Sequence, residues 1–520
     1  MKPAEKRYPT LSTARLQDAF KSETCPICTL TGEESKAHLR SLYYEFANDA
    51  TVRDALHRSR GFCNRHAWES TEIPCADTGI SIIYNALFHS EIAVMREILG
   101  LLEARPTRFH FFGKIRRKKD LTRVIQGWME REACLVCTSE ARTTLFYLRV
   151  LIDHFHEKAF REKFRGSAGL CLPHLRILVE KFPEHPSLPR ILEIEIEKYQ
   201  HLSWELSEYW RKHDYRFSHE PMGEERDSWL RAVRQLAGMP GHFGNDVARV
   251  PPSRSRESLL NRVKKAIHGH PRPDRKTGKA FPPPIHPSGP STHPLALEVK
   301  RTLKQAGCPI CRIGDEALKT NLSWLLKQDY DSPSRLTKIL EGGGFCRTHA
   351  AWIAAHGPDY AGSVMMEKLA SHYEGAVKAW ILALERGADK RSLRRLRPDL
   401  RRMFPSTETC VACQTVQASE AAAIRQLVNL LAEEGEKNRN LYAVSDGLCA
   451  RHFTHSMEIA PQAVALFLAR DMERRLEALT GELRGFLKQP AFSSRKAPRE
   501  SGRKAWLEGL TRLYGNPKVE

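Results

Sequence analysis

Cys25-Pro26-Ile27-Cys28, answered at Gly61-Phe62-Cys63-Asn64-Arg65-His66, is the stretch from which the rest of the chain can be read. A Cys-x-x-Cys pair followed at a distance by Cys-x-x-His offers three thiolates and one imidazole. That is a complete tetrahedral ligand set for a soft divalent metal. The pattern returns three times: Cys134 and Cys137 with Cys171 and His174, Cys308 and Cys311 with Cys346 and His349, and Cys410 and Cys413 with Cys449 and His452. Twelve of the thirteen cysteines are used in this way, and only Cys75 is left over. In a 520-residue chain whose N-terminus, Met1 to Arg7, has no apolar stretch behind it, such regularity suits metal ligation better than disulfides. A cytoplasmic location is expected, with no membrane span.

The surrounding residues predict helices. Leu39, Leu42, Tyr43 and Phe46 recur at i, i+3, i+4 and i+7 within Glu33–Asn48, an amphipathic face. Asp49 or Thr51 can cap a following helix, Val52–Ser59, and Gly61 can supply the left-handed residue that ends it, with Phe62 packing back. A glycine stands two residues before the third cysteine in every copy: Gly61, Gly169, Gly344 and Gly447. Second and third cysteines lie 35, 34, 35 and 36 residues apart, lengths that suit a helix going out and a helix returning. Pairing of the ligands within each repeat is the simplest expectation. Cysteine and histidine three apart share a helical face, so both can reach one ion from a first turn. Apolar stripes over Thr78–Ala104 and Tyr360–Arg386 predict long helices after the first and third sets. His89 and His372, at matching places in those helices, read as packing histidines.

The fold class expected is all-α: two similar helical domains, each with two Cys3His sites stapling helix hairpins. Boundaries fall at 9–216 for the first domain, 217–240 for a short helical extension, 241–293 for a linker, 294–490 for the second domain and 491–520 for a basic tail. The linker assignment rests on composition, since Arg249–Pro294 holds ten prolines and ten Lys/Arg with only Glu257 and Asp274 as acids. Brief helices at Leu259–Ile267 and Ala505–Leu513 are expected inside the linker and tail.

Structural zinc is the leading cofactor, four ions in closed tetrahedra. Iron–sulfur clusters for electron transfer or redox sensing are the alternative, because three thiolates and a histidine can hold one. Thiol redox chemistry fits less well, since its Cys-x-x-Cys turn belongs to a βαβ setting. The formal charge is +20; twelve ligating thiolates subtract twelve and four divalent ions return eight, leaving +16. The chain stays basic when metallated, which favours an acidic partner, a nucleic acid or an anionic protein surface. Contact candidates are Lys114, Arg116, Arg117, Lys118 and Lys119 before the second cysteine pair. Arg391, Arg394, Arg395, Arg397, Arg401 and Arg402 take the equivalent place before the fourth. No glycine-rich phosphate loop and no nucleophile with its base is evident, so a binding or scaffold role is expected, and no small-molecule substrate is identified. The thin case for an enzyme is the cluster His213, Asp214, Arg216 and Glu220.

Cys25–His66 and the later stretch Glu205–Arg216, which contains Lys212-His213-Asp214-Tyr215-Arg216, resemble an uncharacterised bacterial domain-of-unknown-function family with paired Cys-Pro-x-Cys and Gly-Phe-Cys-x-x-His units. The first half matches to about Gly238. The second keeps the cysteines and has Gly485-Phe486-Leu487-Lys488-Gln489-Pro490 where the Lys-His-Asp-Tyr-Arg segment would stand. The resemblance implies a tandemly duplicated helical metal-binding protein and no known activity.

Overall fold

A computed structural model describes residues 11–74, 76–103, 120–127, 132–238, 294–356, 359–385, 409–433, 435–488 and 497–516. Every regular element among them is helical. The basic candidates at 114–119 and 391–402, Phe109, Phe111 and Phe112 beside them, Cys75, and the expected linker helix at 259–267 lie outside these residues.

The first half contains α1 (Leu11–Ala19), α2 (Pro26–Tyr44), α3 (Ala50–Ser59), α4 (Asn64–Glu69), α5 (Asp77–Glu103), α6 (Leu135–His154), α7 (Lys158–Arg165), α8 (Leu172–Lys181), α9 (Leu188–Lys212) and α10 (Ser228–Ala237). The second repeats this order as α11 (Pro294–Thr302), α12 (Pro309–Trp324), α13 (Pro333–Glu341), α14 (Arg347–His356), α15 (Asp359–Glu385), α16 (Val411–Glu433), α17 (Gly435–Val444), α18 (Ala450–Ile459), α19 (Gln462–Leu487) and α20 (Ala497–Tyr514).

Local chemistry accounts for the helix ends. Cys25 and Cys308 are N-caps followed by proline at the first helical position, where a missing N–H costs nothing. The Asp49 carboxylate caps α3 by accepting the Val52 N–H at 2.9 Å. Helix α2 begins earlier than its apolar face suggests, at Pro26, and stops at Tyr44. Leu39, Leu42 and Tyr43 are therefore buried, while Phe46 lies past the helix end and is exposed. All four repeat glycines take positive φ, between 68° and 91°. At Gly61 space also decides: a Cβ there would lie 2.0 Å from Tyr514 Oη, on a helix of the other half.

The two halves are interlocked. Long helix α5 packs on α19, and α9 packs on α15, each pair joining opposite halves. Both apolar cores are accordingly mixed. One joins Leu16, Leu148, Phe164 and Leu192 to Leu322, Trp352 and Met365. The other joins Leu39, Tyr84, Phe88 and Met95 to Ile310, Leu427, Leu468 and Trp506. The last helix of each half completes the exchange. Helix α10 rests on α8 and α9 of its own half and on α14 and α15 of the other, and α20 rests on α18 and α19 and on α4 and α5. The helix expected at Ala505–Leu513 is thus longer, with Trp506 and Leu510 in the core. His89 is exposed and accepts from Arg484 of the other half, while His372 is half-buried edge-on to Tyr373.

Candidate metal centres

The sixteen predicted residues gather into four sets whose ligand atoms all lie within 4.8 Å of one another. Their grouping differs from the expectation. Site I joins Cys25 and Cys28 to Cys171 and His174, and site II joins Cys63 and His66 to Cys134 and Cys137. Site III joins Cys308 and Cys311 to Cys449 and His452, and site IV joins Cys346 and His349 to Cys410 and Cys413. Each Cys-x-x-Cys meets the Cys-x-x-His of the neighbouring repeat, not its own.

Helix length explains the crossing. Helix α2 has 19 residues and α3 has 10, so at 1.5 Å per residue the chain goes out about 28 Å and comes back about 15 Å. Helices α6 and α7, of 20 and 8 residues, fall short in the same way, about 30 Å against about 12 Å. Helices α2 and α6 run antiparallel: Thr31 meets Thr144 at 3.3 Å, and four residues further along α2 Ser35 meets His66, which also meets Glu140, four residues back along α6. A return that falls short on one helix therefore ends beside the cysteine pair that starts the other.

Every site lies between two helix N-termini. Cys25, Cys134 and Cys308, each the first of a Cys-x-x-Cys, are helix N-caps, and so are Cys63, Cys171 and Cys449. Two positive helix ends thus face three sulfurs, which favours the thiolate form that metals need. The imidazole presents Nδ1 in all four sites: 3.2 Å to Cys171 in site I, 3.6 Å to Cys134 in site II, 3.4 Å to Cys308 in site III and 3.3 Å to Cys346 in site IV. Sulfur pairs stand 3.6 Å apart for Cys28–Cys171, 3.7 Å for Cys63–Cys137, 3.9 Å for Cys311–Cys449 and 3.6 Å for Cys346–Cys413. A metal–sulfur bond near 2.3 Å in a tetrahedron gives an edge of about 3.8 Å. These residues fit a single ion at each site.

What stands behind the histidines divides the sites. In site II, His66 Nε2 meets Glu140 Oε1 at 3.2 Å, and Arg65 pairs with the same carboxylate. In site III, His452 Nε2 lies 3.3 Å from Glu420 Oε1, and Arg451 pairs with Glu420 at 2.7 Å. Such carboxylate–histidine contacts fix the tautomer that leaves Nδ1 free to bind. Burial alone would raise both carboxyls, but the histidine contact and the arginine charge bring each below the ordinary range. In site I, Pro173 and Thr144 stand where arginine and glutamate stand in site III, so the buried His174 Nε2 has no carboxylate partner among the described residues.

The exchanged helices end on these sites. Phe62 N–H donates to Tyr514 Oη at 3.2 Å, Asn64 Nδ2 to the Tyr514 carbonyl at 2.8 Å, and Trp68 Nε1 to the Gly515 carbonyl at 3.2 Å. On the other side Cys308 N–H donates to Asn516 Oδ1 at 2.9 Å, and a Cβ on Gly515 would lie 2.9 Å from Cys311 Sγ. Tyr514-Gly515-Asn516 therefore straps site II of one half to site III of the other. Arg347 makes the corresponding contact for α10, donating from Nε to the Ala237 carbonyl at 3.1 Å.

Glu195 offers a titratable handle on this region. It is buried and accepts the Leu170 N–H at 2.7 Å, one residue before Cys171. Burial pushes its carboxyl up to about 8, against the Leu170 hydrogen bond and the Lys198 charge. A raised value in the folded state means that its contribution is present below pH 4.5 and is lost as pH climbs to about 8. Glu195→Gln is expected to leave melting little changed at pH 5 and to stabilise the protein by ~1–3 kcal/mol at pH 9, read from paired melting curves.

The segment read as an enzyme-like cluster is self-paired. Asp214 binds Arg216 at 2.7 Å, Glu220 binds Arg211, Lys212 binds Glu225, and His213 Nδ1 faces the Tyr209 carbonyl at 2.8 Å. The loop over 213–227 nevertheless walls a cavity of about 630 Å³ with Tyr209, His213, Met222 and Trp229.

Comparison with known proteins gives the family and no activity. The sequence profile described as a family of unknown function, DUF6062, matches residues 8–241 and again 297–517. An uncharacterised 23.9 kDa protein in the xynA 3′ region of Caldicellulosiruptor sp. (strain Rt8B.4) is 24% identical over 221 residues, 42% of this chain and 97% of that protein. No solved structure matches.

Proposed function

We propose that this chain, which belongs to the family of unknown function DUF6062 and carries its unit twice, is a zinc-stapled helical scaffold that binds an acidic partner. The observation that carries the metal part is the spacing at the sites, where sulfurs stand one tetrahedral edge apart around a common histidine Nδ1. A [4Fe–4S] cluster would bind each ligand through a different iron, and a [2Fe–2S] cluster would split the four ligands between two irons, so either would hold some donors further apart than the 4.8 Å within which each set here gathers. Four ligands from the protein fill a tetrahedron and leave no position for substrate or water, which suits a structural ion. The ions would bind Cys25, Cys28, Cys171 and His174, and the three equivalent sets, and so close each half on itself. The partner part rests on the residual charge of +16 and on the basic segments that precede the second and fourth cysteine pairs.

One preparation tests both parts. Protein purified without oxygen is expected to be colourless, to hold about four zinc ions, and to bind DNA or RNA with an affinity that falls steeply with salt. Broad absorption near about 400 nm would overturn zinc in favour of clusters. No binding to nucleic acid at low ionic strength would leave an acidic protein surface as the partner class.

A further inference from the structure

Site II differs from the other three in what solvent can reach. All three cysteines of sites I and IV are buried residues, and in site III only Cys311 is partly exposed. In site II both Cys63 and Cys137 are partly exposed, and these two sulfurs face each other at 3.7 Å. They come from different helix starts, α4 and α6, and Cys63 is flanked by the residues that hold the strap, Phe62 and Asn64.

We propose that site II is an oxidation site: hydrogen peroxide converts Cys63 and Cys137 to a disulfide, site II loses its ion, and its grip on Tyr514-Gly515-Asn516 loosens. The inference rests on the zinc reading above, because zinc itself has no redox chemistry and every electron must come from sulfur. The steps balance. One thiolate attacks the peroxide, the O–O bond breaks, and a sulfenic acid and hydroxide form. The second thiolate attacks the sulfenic sulfur, the S–S bond forms and a second hydroxide leaves. Two protons from solvent turn both hydroxides into water. Two sulfurs have then lost one electron each, and the peroxide has gained two. The divalent ion, left with Cys134 and His66, departs unchanged.

Location gives the step a structural consequence. The segment from Phe62 to Trp68 supplies four hydrogen bonds to Tyr514-Gly515-Asn516 at the end of α20, a helix of the opposite half. Drawing Cys63 toward Cys137 moves that segment, while sites I and IV, with all their cysteines buried, keep their ions.

The test uses the full metallated chain, hydrogen peroxide and a zinc-reporting dye, with disulfides mapped by mass spectrometry and backbone exchange followed over 505–516. The expected result is four zinc ions at the start, then release of one equivalent at least ~10-fold faster than the rest, since thiolate access sets the rate. The first disulfide to form links Cys63 to Cys137, and exchange at Tyr514–Asn516 rises with it. Release of all four ions together, or a first disulfide elsewhere, would overturn the inference and leave the zinc reading standing. A starting protein without zinc would overturn both.

Discussion

Replacing Cys28 and Cys171 together by serine is expected to cost one bound ion, whereas replacing Cys28 and Cys63 together is expected to cost two. The contrast follows from the crossed grouping, which puts the first pair of residues in one site and the second pair in two. Each ion carries a large share of stability, since structural zinc in small domains binds with apparent free energies of about 10–16 kcal/mol that appear as folding energy. The first substitution in a site removes most of that, so a second in the same site adds little. Metal content by mass spectrometry, with melting temperature beside it, separates the outcomes. The reverse order, one ion lost with Cys28 and Cys63 and two with Cys28 and Cys171, would return the ligands to pairing within each repeat. The effect should also travel: loss of site III undoes the seat of Asn516 and Gly515 and so weakens the clasp on α4, more than 200 residues away in sequence.

That crossing marks the limit of what the residues alone disclosed. Ligand identity was legible because Cys-x-x-Cys and Cys-x-x-His each place two donors on one helical turn, a local matter. The left-handed glycines and the α5 and α15 stripes were legible for the same reason. The choice of partner was not, since 35 residues bound only how far the chain can reach. The antiparallel fit of α2 to α6, seen in Thr31 against Thr144, decides it. Helix α20 was half-hidden by its basic surroundings. An echo could have found it: Trp229-Leu230, Leu236, Gly238 and Pro240 recur as Trp506-Leu507, Leu513, Gly515 and Pro517 with one constant offset. The same echo links Gln235, which donates to the Leu170 carbonyl at 2.6 Å, to Arg512, which donates to the Leu448 carbonyl at 3.0 Å. Interlocking of the halves leaves no such trace, because an apolar stripe reads alike whichever half it faces.

The interlocking has its own consequence for a cut chain. A protease site placed within Arg249–Pro294 and cleaved after folding is expected to leave one particle of unchanged size by gel filtration. The tether supplies only an effective concentration, of order millimolar for a flexible connection. The contacts are far larger: α5 on α19, α9 on α15, and both exchanged helices. Separation therefore has to expose both mixed cores at once. Trp506 measures the contribution of one arm, because it is almost fully buried and its helix bridges the halves. Trp506→Ala should destabilise the protein by ~3–5 kcal/mol and make the cleaved halves separate at lower denaturant. Halves of the wild-type chain that part on cleavage in zinc-replete buffer would show that each buries its own core, and the exchange of α10 and α20 would then be incidental to stability.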